Sequence, residues 1–371
     1  MMFCKYIVTF LFFLTSINLF AFPKVKEYGT LVITKKIELK GREVKLPKGV
    51  TLNFQGGSIC NGTLVGNETK ISGKKIHIFD KLDIKGVWIV PKISTRMFCD
   101  LSRDNSLRKV IALTNKKIRN EVTIESGLYN FEFKKNEESG LLLEDNTVLI
   151  LKGTLTITPN HFVNYQIIRT FGKNIVIKGG GKIIGDKSKH IGNKGQWGMG
   201  IDVYKSNNVV IKELSISNCW GDCIYVGYKS KKITVSNCLL FGSRRQGISV
   251  TDAIGVTIRN CKIFNISGTK PGFAIDVEPN KNCIVTNVLI ENNILYKCNG
   301  GIELNGHATN AIVNDVKVRH CIIQDMKEKY TVQCYNCQNI SFVNCKLDVL
   351  PKYILFKDCN NARKKKITLK K

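Results

Sequence analysis

The sequence is poor in residues that break or disorder a chain. Only 7 of its 371 residues are proline, and its charged residues, 23% of the total, do not form long blocks. With 43% hydrophobic residues the chain can bury a large core, which excludes intrinsic disorder. The central part also lacks helical spacing and the fixed leucine offsets of a leucine-rich repeat, which excludes those two architectures.

Acidic residues are about half as frequent as basic ones. The chain has 29 Asp and Glu against 57 Lys and Arg, a formal net charge of +28. This balance favours a polyanionic partner. Nucleic acid is the weaker choice and is not predicted as a partner, because an export signal opens the chain and carboxylates line the groove predicted below. We therefore expect an acidic polysaccharide.

The first residues have the features of a secretory signal. Lys5 precedes an apolar run from Tyr6 to Phe20, and Ala21 is the small residue expected at a cleavage site. The run is shorter than the ~20 apolar residues of a spanning helix. The sequence predicts a signal peptide over residues 1–21, no transmembrane anchor after cleavage, and a mature chain that is secreted, periplasmic or at the cell surface.

Cysteines are numerous but lack the dense spacing of a disulfide-stapled miniprotein. Without Cys4 in the signal peptide, 13 of the 14 remain. Cys334 and Cys337 have the spacing of half a metal site, but without a second pair they are weak evidence for one.

Five other cysteines fall at one repeat position, which predicts a ladder of buried, mostly free thiols. These are Cys219, Cys238, Cys261, Cys321 and Cys345.

One pattern recurs between Met199 and Tyr330. Each unit opens with a small residue and an aliphatic-x-aliphatic strand, passes through a polar turn into a second short strand, and closes on Asn-Cys or a near equivalent. Such strands are half-buried, and repeats in the twenties of residues indicate a stack of coils. The openings are Gly200-Ile201-Asp202-Val203, Cys223-Ile224-Tyr225-Val226, Gly247-Ile248-Ser249-Val250, Ala274-Ile275-Asp276-Val277 and Gly301-Ile302-Glu303-Leu304.

These repeats predict an all-β parallel β-helix, a solenoid with about three strands per coil. A strand-rich N-terminal section is expected over residues 22–96, the β-helix domain over 97–360 and a basic C-terminal tail over 361–371. Asp104-Asn105-Ser106 predicts the start of a short N-terminal capping helix that continues through Leu113. A helix there would cover the open end of the strand stack.

Three segments make the resemblance to a known family specific. Asn174–Asp186, Gly221-Asp222-Cys223-Ile224 and Gly247-Ile248-Ser249-Val250 resemble the pectin-lyase-like superfamily of right-handed parallel β-helix proteins. The nearest members are polygalacturonase-type glycoside hydrolases and polysaccharide lyases. The resemblance covers roughly residues 102–350. It implies a right-handed helix and an exported carbohydrate-active enzyme.

Only one catalytic position of the polygalacturonase-type hydrolases matches residue by residue. Those enzymes carry a paired Asp-Asp before Cys-Ile, and this chain has Gly221-Asp222 at that place. They also carry a Gly-His-Gly coil, and this chain has Arg245-Gln246-Gly247 there. Asp222 is the match. The location of the site is carried over by the resemblance, whereas the family's standard chemistry is not.

The position of the site also follows from strand alternation. The middle residue of each aliphatic-x-aliphatic strand points outward, so Asp202, Tyr225, Ser249, Asp276 and Glu303 should form a polar column on one exposed face. A column of small residues two positions earlier should leave a groove beside it. Aromatic rings and charged groups along such a groove suit a sugar chain. The predicted rims carry Trp197, Trp220, Arg244, Arg245, Gln246, Glu278, Asn305 and His307, the last as an exposed or structural residue.

Two reactions and one non-catalytic role remain open. Hydrolysis needs two carboxyl groups about 6.5 to 9.5 Å apart for an inverting site, and Asp222 with Asp202 is the candidate pair. β-Elimination from a uronate polymer would use Arg244 or Arg245 to neutralise the substrate carboxylate or to accept the C5 proton. This reaction would need either no cofactor or a Ca²⁺ ion bound by Asp276 and Glu278. The alternative is a polysaccharide-binding or surface adhesion scaffold that catalyses nothing.

Overall fold

The computed structural model describes residues 22–99, 106–135, 137, 139–348 and 352–370. The predicted signal peptide (1–21) and the predicted capping residues Asp104 and Asn105 lie outside the described residues. Among the residues that are described, no helix has the length and apolarity needed to cross a membrane.

The N-terminal section is built from parallel strands. They are β1 (Thr30–Ile33), β2 (Lys36–Glu38), β3 (Glu43–Lys45), β4 (Thr51–Phe54), β5 (Ser58–Gly73), β6 (Phe79–Ile89) and β7 (Lys92–Ser94), followed by a 3-10 turn (Thr95–Met97) and the helix α1 (Ser106–Ile111). The long strand β5 pairs in parallel with β2, β3, β4 and β6. The section is thus already a coiled stack of strands.

The remaining strands continue the stack to residue 370. The first of them are β8 (Asn120–Ile124), β9 (Leu128–Phe131), β10 (Ser139–Leu143), β11 (Thr147–Leu151), β12 (Thr154–Ile157), β13 (Asn164–Lys178), β14 (Lys182–Ile184), β15 (Trp197–Lys212), β16 (Ser215–Ser217), β17 (Ile224–Gly227), β18 (Ser230–Ser236), β19 (Leu239–Phe241), β20 (Ile248–Val250) and β21 (Ala253–Arg259). The others are β22 (Lys262–Phe264), β23 (Phe273–Val277), β24 (Ile284–Glu291), β25 (Ile294–Tyr296), β26 (Gly300–Asn305), β27 (Ile312–Arg319), β28 (Ile322–Gln324), β29 (Tyr330–Tyr335), β30 (Cys337–Val343), β31 (Lys346–Asp348), β32 (Lys352–Lys357), β33 (Asn360–Lys365) and β34 (Thr368–Lys370).

Three parallel sheets run along the molecule. The sheet that carries the predicted column, called the site sheet below, consists of β10, the first parts of β13 and β15, β17, β20, β23, β26, β29 and β32. A second sheet runs from β8 to β33 and a third from β9 to β34. Because every coil visits the sheets in the same order, the fold is a right-handed parallel β-helix, as predicted.

Aliphatic residues at alternate positions fill the interior of each coil. In one coil Ile201 and Val203 point inward from the site sheet, Ile211 from the second sheet and Ile216 from the third, and all four are fully buried. Each side chain stacks on its counterpart in the next coil, about 4.8 Å away. Burial of apolar area between neighbouring coils, at roughly 25 cal/mol per Å², is the main stabilising contribution.

The Asn-Cys pairs have a conformational cause. Asn218, Asn237 and Asn260 have φ values of 57°, 54° and 55°, in the left-handed region that Asn adopts more readily than most residues. This conformation turns the chain at a corner of the coil, before the third sheet at Asn237 and Asn260 and after it at Asn218, and the next residue points inward. The predicted ladder of buried thiols is confirmed for Cys238, Cys261, Cys321 and Cys345, which share the position before the third sheet and are each at most 2% exposed. Cys219 is also buried, but it follows β16 and lies at the next corner, so its predicted place in this ladder is wrong.

Helix α1 covers one edge of the stack. Leu107 and Val110 are buried in the core, and Arg108 donates hydrogen bonds from Nε to Gly140 O (3.0 Å) and from Nη2 to Ser139 O (3.1 Å). These carbonyls belong to β10, the first strand of the site sheet. The short helix is therefore present as predicted, but it covers only this edge. The second sheet continues into the N-terminal section, where β7 pairs with β8.

The segment expected to be a basic tail contains strands instead. In β33, Arg363 pairs with Ser341 and Lys364 with Phe342, and β34 pairs with β31. The charged side chains of Arg363 and Lys364 are exposed. Residues 360–370 thus form part of the last described coil.

Candidate functional site

The register of the site sheet aligns the predicted column. Asp202, Tyr225, Ser249, Asp276 and Glu303 are consecutive partners on neighbouring strands. Their predicted exposure is wrong: Asp202 is 2%, Asp276 1% and Glu303 7% exposed. They lie on the outer side of the sheet, where Gln246 from a neighbouring corner covers Asp276 and Arg169 of the adjacent strand pairs with Asp202.

The column of small residues does not form a groove wall. A Cβ atom on Gly200 would lie 2.6 Å from Ile216 Cγ2, and one on Gly247 would lie 2.5 Å from Ile263 Cγ2. Both isoleucines point inward from the third sheet. The small residues are therefore required by close packing at the corner, and this part of the predicted groove is wrong.

Four carboxyl groups and one guanidinium form a cluster at the middle of the site sheet. This acidic cluster consists of Asp222, Arg245, Asp276, Glu278 and Glu303. Arg245 Nη1 lies 3.3 Å from Asp222 Oδ2 and Nη2 lies 3.7 Å from Glu278 Oε2. The side chain of Arg245 is 15% exposed and that of Glu278 38%, so these two form the accessible surface of the cluster.

Asp222, the residue that matches the polygalacturonase pattern, is held entirely inside. Its carboxylate accepts hydrogen bonds from Ser249 Oγ (2.7 Å), the Gln246 backbone N–H (3.0 Å) and Arg245 Nη1 (3.3 Å). Burial raises the pKa of Asp222, and these donors oppose the rise. Asp222 therefore fixes Arg245 rather than facing the outside.

Gln246 was predicted to bind substrate, but it is fully buried. Its Nε2 donates to Asp276 Oδ2 (2.6 Å), and its Oε1 accepts from the Phe273 backbone N–H (2.6 Å). Since its own backbone N–H donates to Asp222, one residue fixes two carboxyl groups of the cluster. Gln246 therefore supports the site structurally.

The remaining carboxyl groups are poised to hold protons. Burial, reinforced by the charges of Glu278 and Glu303, raises the pKa of Asp276 well above its usual range. Burial, followed by the charges of Glu278 and Glu328, raises the pKa of Glu303 to about 7. Glu303 Oε2 and Asp276 Oδ1 are buried without a hydrogen-bond partner among the described residues. A protonated carboxyl beside ionised ones is the arrangement that acid catalysis requires.

The two predicted tryptophans differ in accessibility. Trp197, at the start of β15, is 46% exposed. Trp220 is 6% exposed, its ring stacks on His190 at 3.9 Å, and the Arg244 guanidinium lies 3.8 Å from the ring centre. Trp220 is therefore not available to stack on a ligand, whereas Trp197 is.

Arg244 does not reach the acidic cluster. Its Nη1 donates to Gly195 O (2.7 Å) and its Nη2 to Asn193 O (3.2 Å). The loop before β15 is thus fastened over Trp220, and the predicted catalytic role of Arg244 has no support in the geometry. Of the arginine pair, Arg245 is the one that faces the carboxyl groups.

Downstream, Asn305 and His307 flank the cluster. Asn305 Nδ2 donates to Glu278 Oε1 (3.3 Å), and Asn305 Oδ1 accepts from the His307 backbone N–H (3.1 Å). The His307 ring packs against Tyr335 at 5.2 Å. Asn305 therefore positions Glu278 and lies at the rim, as its strand position predicts.

A pocket of about 210 Å³ lies on the upstream side of the cluster. Trp197 and Tyr228 stand at its rims, and Asp202, Tyr225 and Gln166 also line it. Asp202 Oδ2 accepts a hydrogen bond from Arg169 Nε (2.8 Å). Asp202 thus belongs to the pocket and an ion pair, whereas the acidic cluster is built around Arg245.

Sequence reasoning missed Gln166 and Arg169. Both lie in β13, where Ile168-Arg169-Thr170 breaks the aliphatic-x-aliphatic pattern. Arg169 is nevertheless the partner of Asp202 in the register. Extending the alignment of repeats one coil toward the N-terminus would have found both residues.

No metal centre is evident in the described part of the chain, where no group of three or more His, Cys, Asp or Glu side chains is placed to hold a metal ion. Glu278, one of the two predicted Ca²⁺ ligands, is instead paired with the Arg245 guanidinium at 3.7 Å. Cys334 and Cys337 are buried, and Cys337 Sγ contacts Leu304 O at 3.4 Å.

Comparison with known proteins agrees with this architecture. Residues 160–315 match the family described as right handed beta helix region. The fold also matches the exopolygalacturonase of Thermotoga maritima (TM-score 0.56, 14% identity, covering 72% of this chain and 75% of that one) and an alginate lyase from Paenibacillus sp. FPU-7 (0.53, 14%, 75% and 97%). The chain therefore has a right-handed parallel β-helix fold, as its repeats and motifs indicated.

Two sequence relatives come from Bacillus subtilis. The SPbeta prophage-derived uncharacterized protein YorA is 29% identical over 163 residues, and the uncharacterized protein YclG is 30% identical over 161 residues. Each match covers 38% of this chain and 28% of the relative. The shared part is thus a minor fraction of those proteins.

Proposed function

We propose that the protein is an exported glycoside hydrolase that cleaves a polysaccharide containing uronate residues. The observation that carries the proposal is the acidic cluster, which combines a carboxyl group protonated near neutral pH with carboxylates held by Arg245. The net charge of +28 favours a polyanionic chain. The proteins of similar fold include an alginate lyase and an exopolygalacturonase, which supports a polysaccharide substrate by analogy.

Glu303 is our candidate for the proton donor and Glu278 for the base that activates water. Glu278 follows Val277, whose partner in the register is Leu304, and its Oε1 accepts a hydrogen bond from Asn305 Nδ2 (3.3 Å), two residues after Glu303. We propose the two as an inverting pair, which needs room for a water molecule between its carboxyl groups. Both residues are less buried than Asp222 and Asp276, which support Arg245 and Gln246.

Elimination is the less favoured reaction. A lyase needs a cation to neutralise the substrate carboxylate and a base to take the C5 proton. Arg245 is already in ion pairs with Asp222 and Glu278, and Arg244 is bound to backbone carbonyls. The cluster therefore offers proton donors more readily than a free positive charge.

The test is an incubation of the mature protein with a panel of acidic polysaccharides, with and without Ca²⁺, in which reducing ends and the ultraviolet absorbance of unsaturated uronate are measured in the same wells. We expect new reducing ends without new absorbance, and their loss in Glu303→Gln and Glu278→Gln. New absorbance would indicate a lyase and overturn hydrolysis. Glu213→Gln, an exposed carboxyl group paired with Lys212, is the matched control.

A second function is favoured by the burial of the cluster. Asp222 and Asp276 are at most 1% exposed, whereas Trp197 and Tyr228 at the pocket rims are 46% and 42% exposed. A binding scaffold would need only the exposed aromatic rings. Retained binding of a polymer, with neither reducing ends nor absorbance from any polymer of the panel, would support this function.

A further inference from the structure

We propose that the pocket between Trp197 and Tyr228 is a subsite for one neutral pyranose ring, beside the acidic cluster. This sugar ring would be part of the substrate of the proposed hydrolase, so its role in a reaction rests on that proposed function. Binding to the pocket can nevertheless be measured separately from cleavage.

The size and the aromatic walls of the pocket suit a single sugar ring. Its volume of about 210 Å³ is below the ~300–1,000 Å³ of pockets for drug-sized ligands. Trp197 is 46% exposed and Tyr228 42% exposed. The Tyr228 ring packs against Tyr204 at 4.4 Å and Tyr225 at 5.9 Å, so that wall is supported from behind. Such faces bind the C–H surfaces of a pyranose.

A buried polar atom on the floor lacks a protein partner. Gln166 is 2% exposed, and its Nε2 donates to Asn164 Oδ1 at 2.7 Å, which fixes the orientation of the amide. Its Oε1 then has no hydrogen-bond partner among the described residues. An orphaned buried acceptor costs about 1–3 kcal/mol. A sugar hydroxyl that donates to it would remove this cost.

The charges around the pocket favour a neutral ring over a uronate. Within the described chain none of the residues that line the pocket is basic. The carboxylate that lines it, Asp202, is paired with Arg169 at 2.8 Å, and the Arg169 guanidinium lies over the Tyr204 ring at 5.0 Å. A second carboxylate in the pocket would face Asp202 without a cation of its own, and like charges in a partly desolvated site repel.

The pocket and the acidic cluster share one side chain. Met199 lines the pocket, and its Sδ accepts the backbone N–H of Asp222 at 3.3 Å. A ring bound in the pocket therefore lies at the Asp222 end of the cluster, whereas Glu303 is three strands beyond Tyr225 in the register, roughly 14 Å away at about 4.8 Å per strand. The inferred substrate is a mixed polymer in which a neutral sugar lies a few residues from the bond that the cluster would cleave.

The experiment measures binding of methyl glucoside and methyl galactoside against the corresponding methyl uronides, using the inactive Glu303→Gln variant. Tryptophan fluorescence is a suitable signal, because Trp88 is fully buried and Trp220 is 6% exposed, whereas Trp197 is 46% exposed. We expect at least one neutral glycoside to bind about tenfold more tightly than its uronide, a difference of ~1.4 kcal/mol. Trp197→Phe should abolish the signal.

Three further variants test the assignment. Gln166→Leu should weaken binding about tenfold, as expected for one lost hydrogen bond at a buried group, whereas the exposed Gln338→Leu should not. Asp202→Asn should narrow the difference between glycoside and uronide, since it removes the repulsion and frees Arg169. Equal or tighter uronide binding by the native pocket, or unchanged affinity in Gln166→Leu, would overturn the proposal.

The outcomes also separate this proposal from the proposed function. If the native protein cleaves a polymer but Glu303→Gln binds no glycoside at millimolar concentration, the pocket assignment fails and the hydrolase stands. If Glu303→Gln binds glycosides through Trp197 while no polymer is cleaved by the native protein, the hydrolase fails and the pocket stands.

Discussion

Arg245 is held between carboxylates of unequal burial, and this determines what its loss should cost. Its guanidinium contacts Asp222, whose side chain is fully buried, and Glu278, whose side chain is 38% exposed. Arg245→Gln would leave the Asp222 carboxylate buried with only neutral donors. We expect a loss of about 3–5 kcal/mol in the free energy of unfolding, measured by urea denaturation.

The matched control is Arg319→Gln. Arg319 also pairs with a carboxylate, Glu291, at 2.7 Å, but its side chain is 49% exposed. A solvent-exposed pair contributes about 0–1 kcal/mol. Equal losses in the two variants would contradict the view that burial of Asp222 makes Arg245 essential.

Glu303 gives a prediction about pH. Burial, with the charges of Glu278 and Glu328, raises its pKa from 4.5 to about 7 in the folded protein. Between these values the folded chain retains a proton that the unfolded chain has lost, so its contribution to stability is full below pH 4.5 and is lost as pH rises through 7. Glu303→Gln should therefore reduce the fall in unfolding free energy between pH 5 and 8 by about 1–3 kcal/mol.

Urea denaturation of the native protein and of Glu303→Gln at four pH values from 5 to 8 would measure this difference. Glu213→Gln, at an exposed ion pair with Lys212, controls for loss of a negative charge. Parallel pH profiles for the native protein and Glu303→Gln would show that Glu303 does not retain its proton on folding. The same variant would then be a poor candidate for the proton donor.

At the scale of the strand and turn, the repeated Asn residues carry a testable conformational role. Asn237 has a φ of 54° and an exposed side chain. Asn237→Val should destabilise the protein by about 1–2 kcal/mol, the cost of the left-handed conformation for an ordinary residue, while Asn237→Gly should be close to neutral. Urea denaturation measures both.

Asn207→Val is the matched control for a change from Asn to a β-branched residue. Asn207 is also exposed, but it lies within β15 and is not among the residues with positive φ. Valine is favoured in strands, so little or no loss is expected there. A similar loss at both positions would assign the effect to side-chain polarity rather than to the turn.

Strand order and register were predictable because each coil repeats the same inward aliphatic pattern. Ile201, Ile224 and Ile248 occupy one rung position, and a one-residue slip of any of these strands would turn its isoleucine outward. The burial of Asp276 was not predictable in this way. It depends on Gln246, which lies at the corner of the preceding coil, and the conformation of a corner is not encoded in strand alternation.

The exposure of the two tryptophans and the pairing of the last strands could not be predicted from strand alternation either. Trp197 and Trp220 both flank the column in sequence, but the loop held by Arg244 covers only Trp220. In β33 the outward positions carry Arg363 and Lys365, so composition resembles a solvated tail. Pairing with β30 still supplies its backbone hydrogen bonds. Tertiary contacts therefore determine the exposure of the tryptophans and the strand structure of residues 360–365.

For the whole molecule, a stack in which each coil contacts only its neighbours should open from its ends. The thiols can report this, because the cysteines of the described residues are free and most are buried. Cys334 and Cys261 are a matched pair, because both are at most 2% exposed and both have a raised pKa, through the hydrogen bond with Cys238 and burial at Cys261 and through burial at Cys334. Cys334 lies in β29, one coil from β32, whereas Cys261 lies in the middle of the stack.

We expect alkylation in sub-denaturing urea, followed by mass spectrometry, to modify Cys334 at least about tenfold faster than Cys261, which corresponds to ~1.4 kcal/mol less opening free energy. The exposed Cys99 should react first and calibrates the reagent. Equal rates at Cys334 and Cys261 would mean that the described coils open as one cooperative unit. In that case a substitution in the acidic cluster would destabilise distant coils as much as its own neighbours, whereas opening from the ends confines the effect of Arg245→Gln to coils around the site.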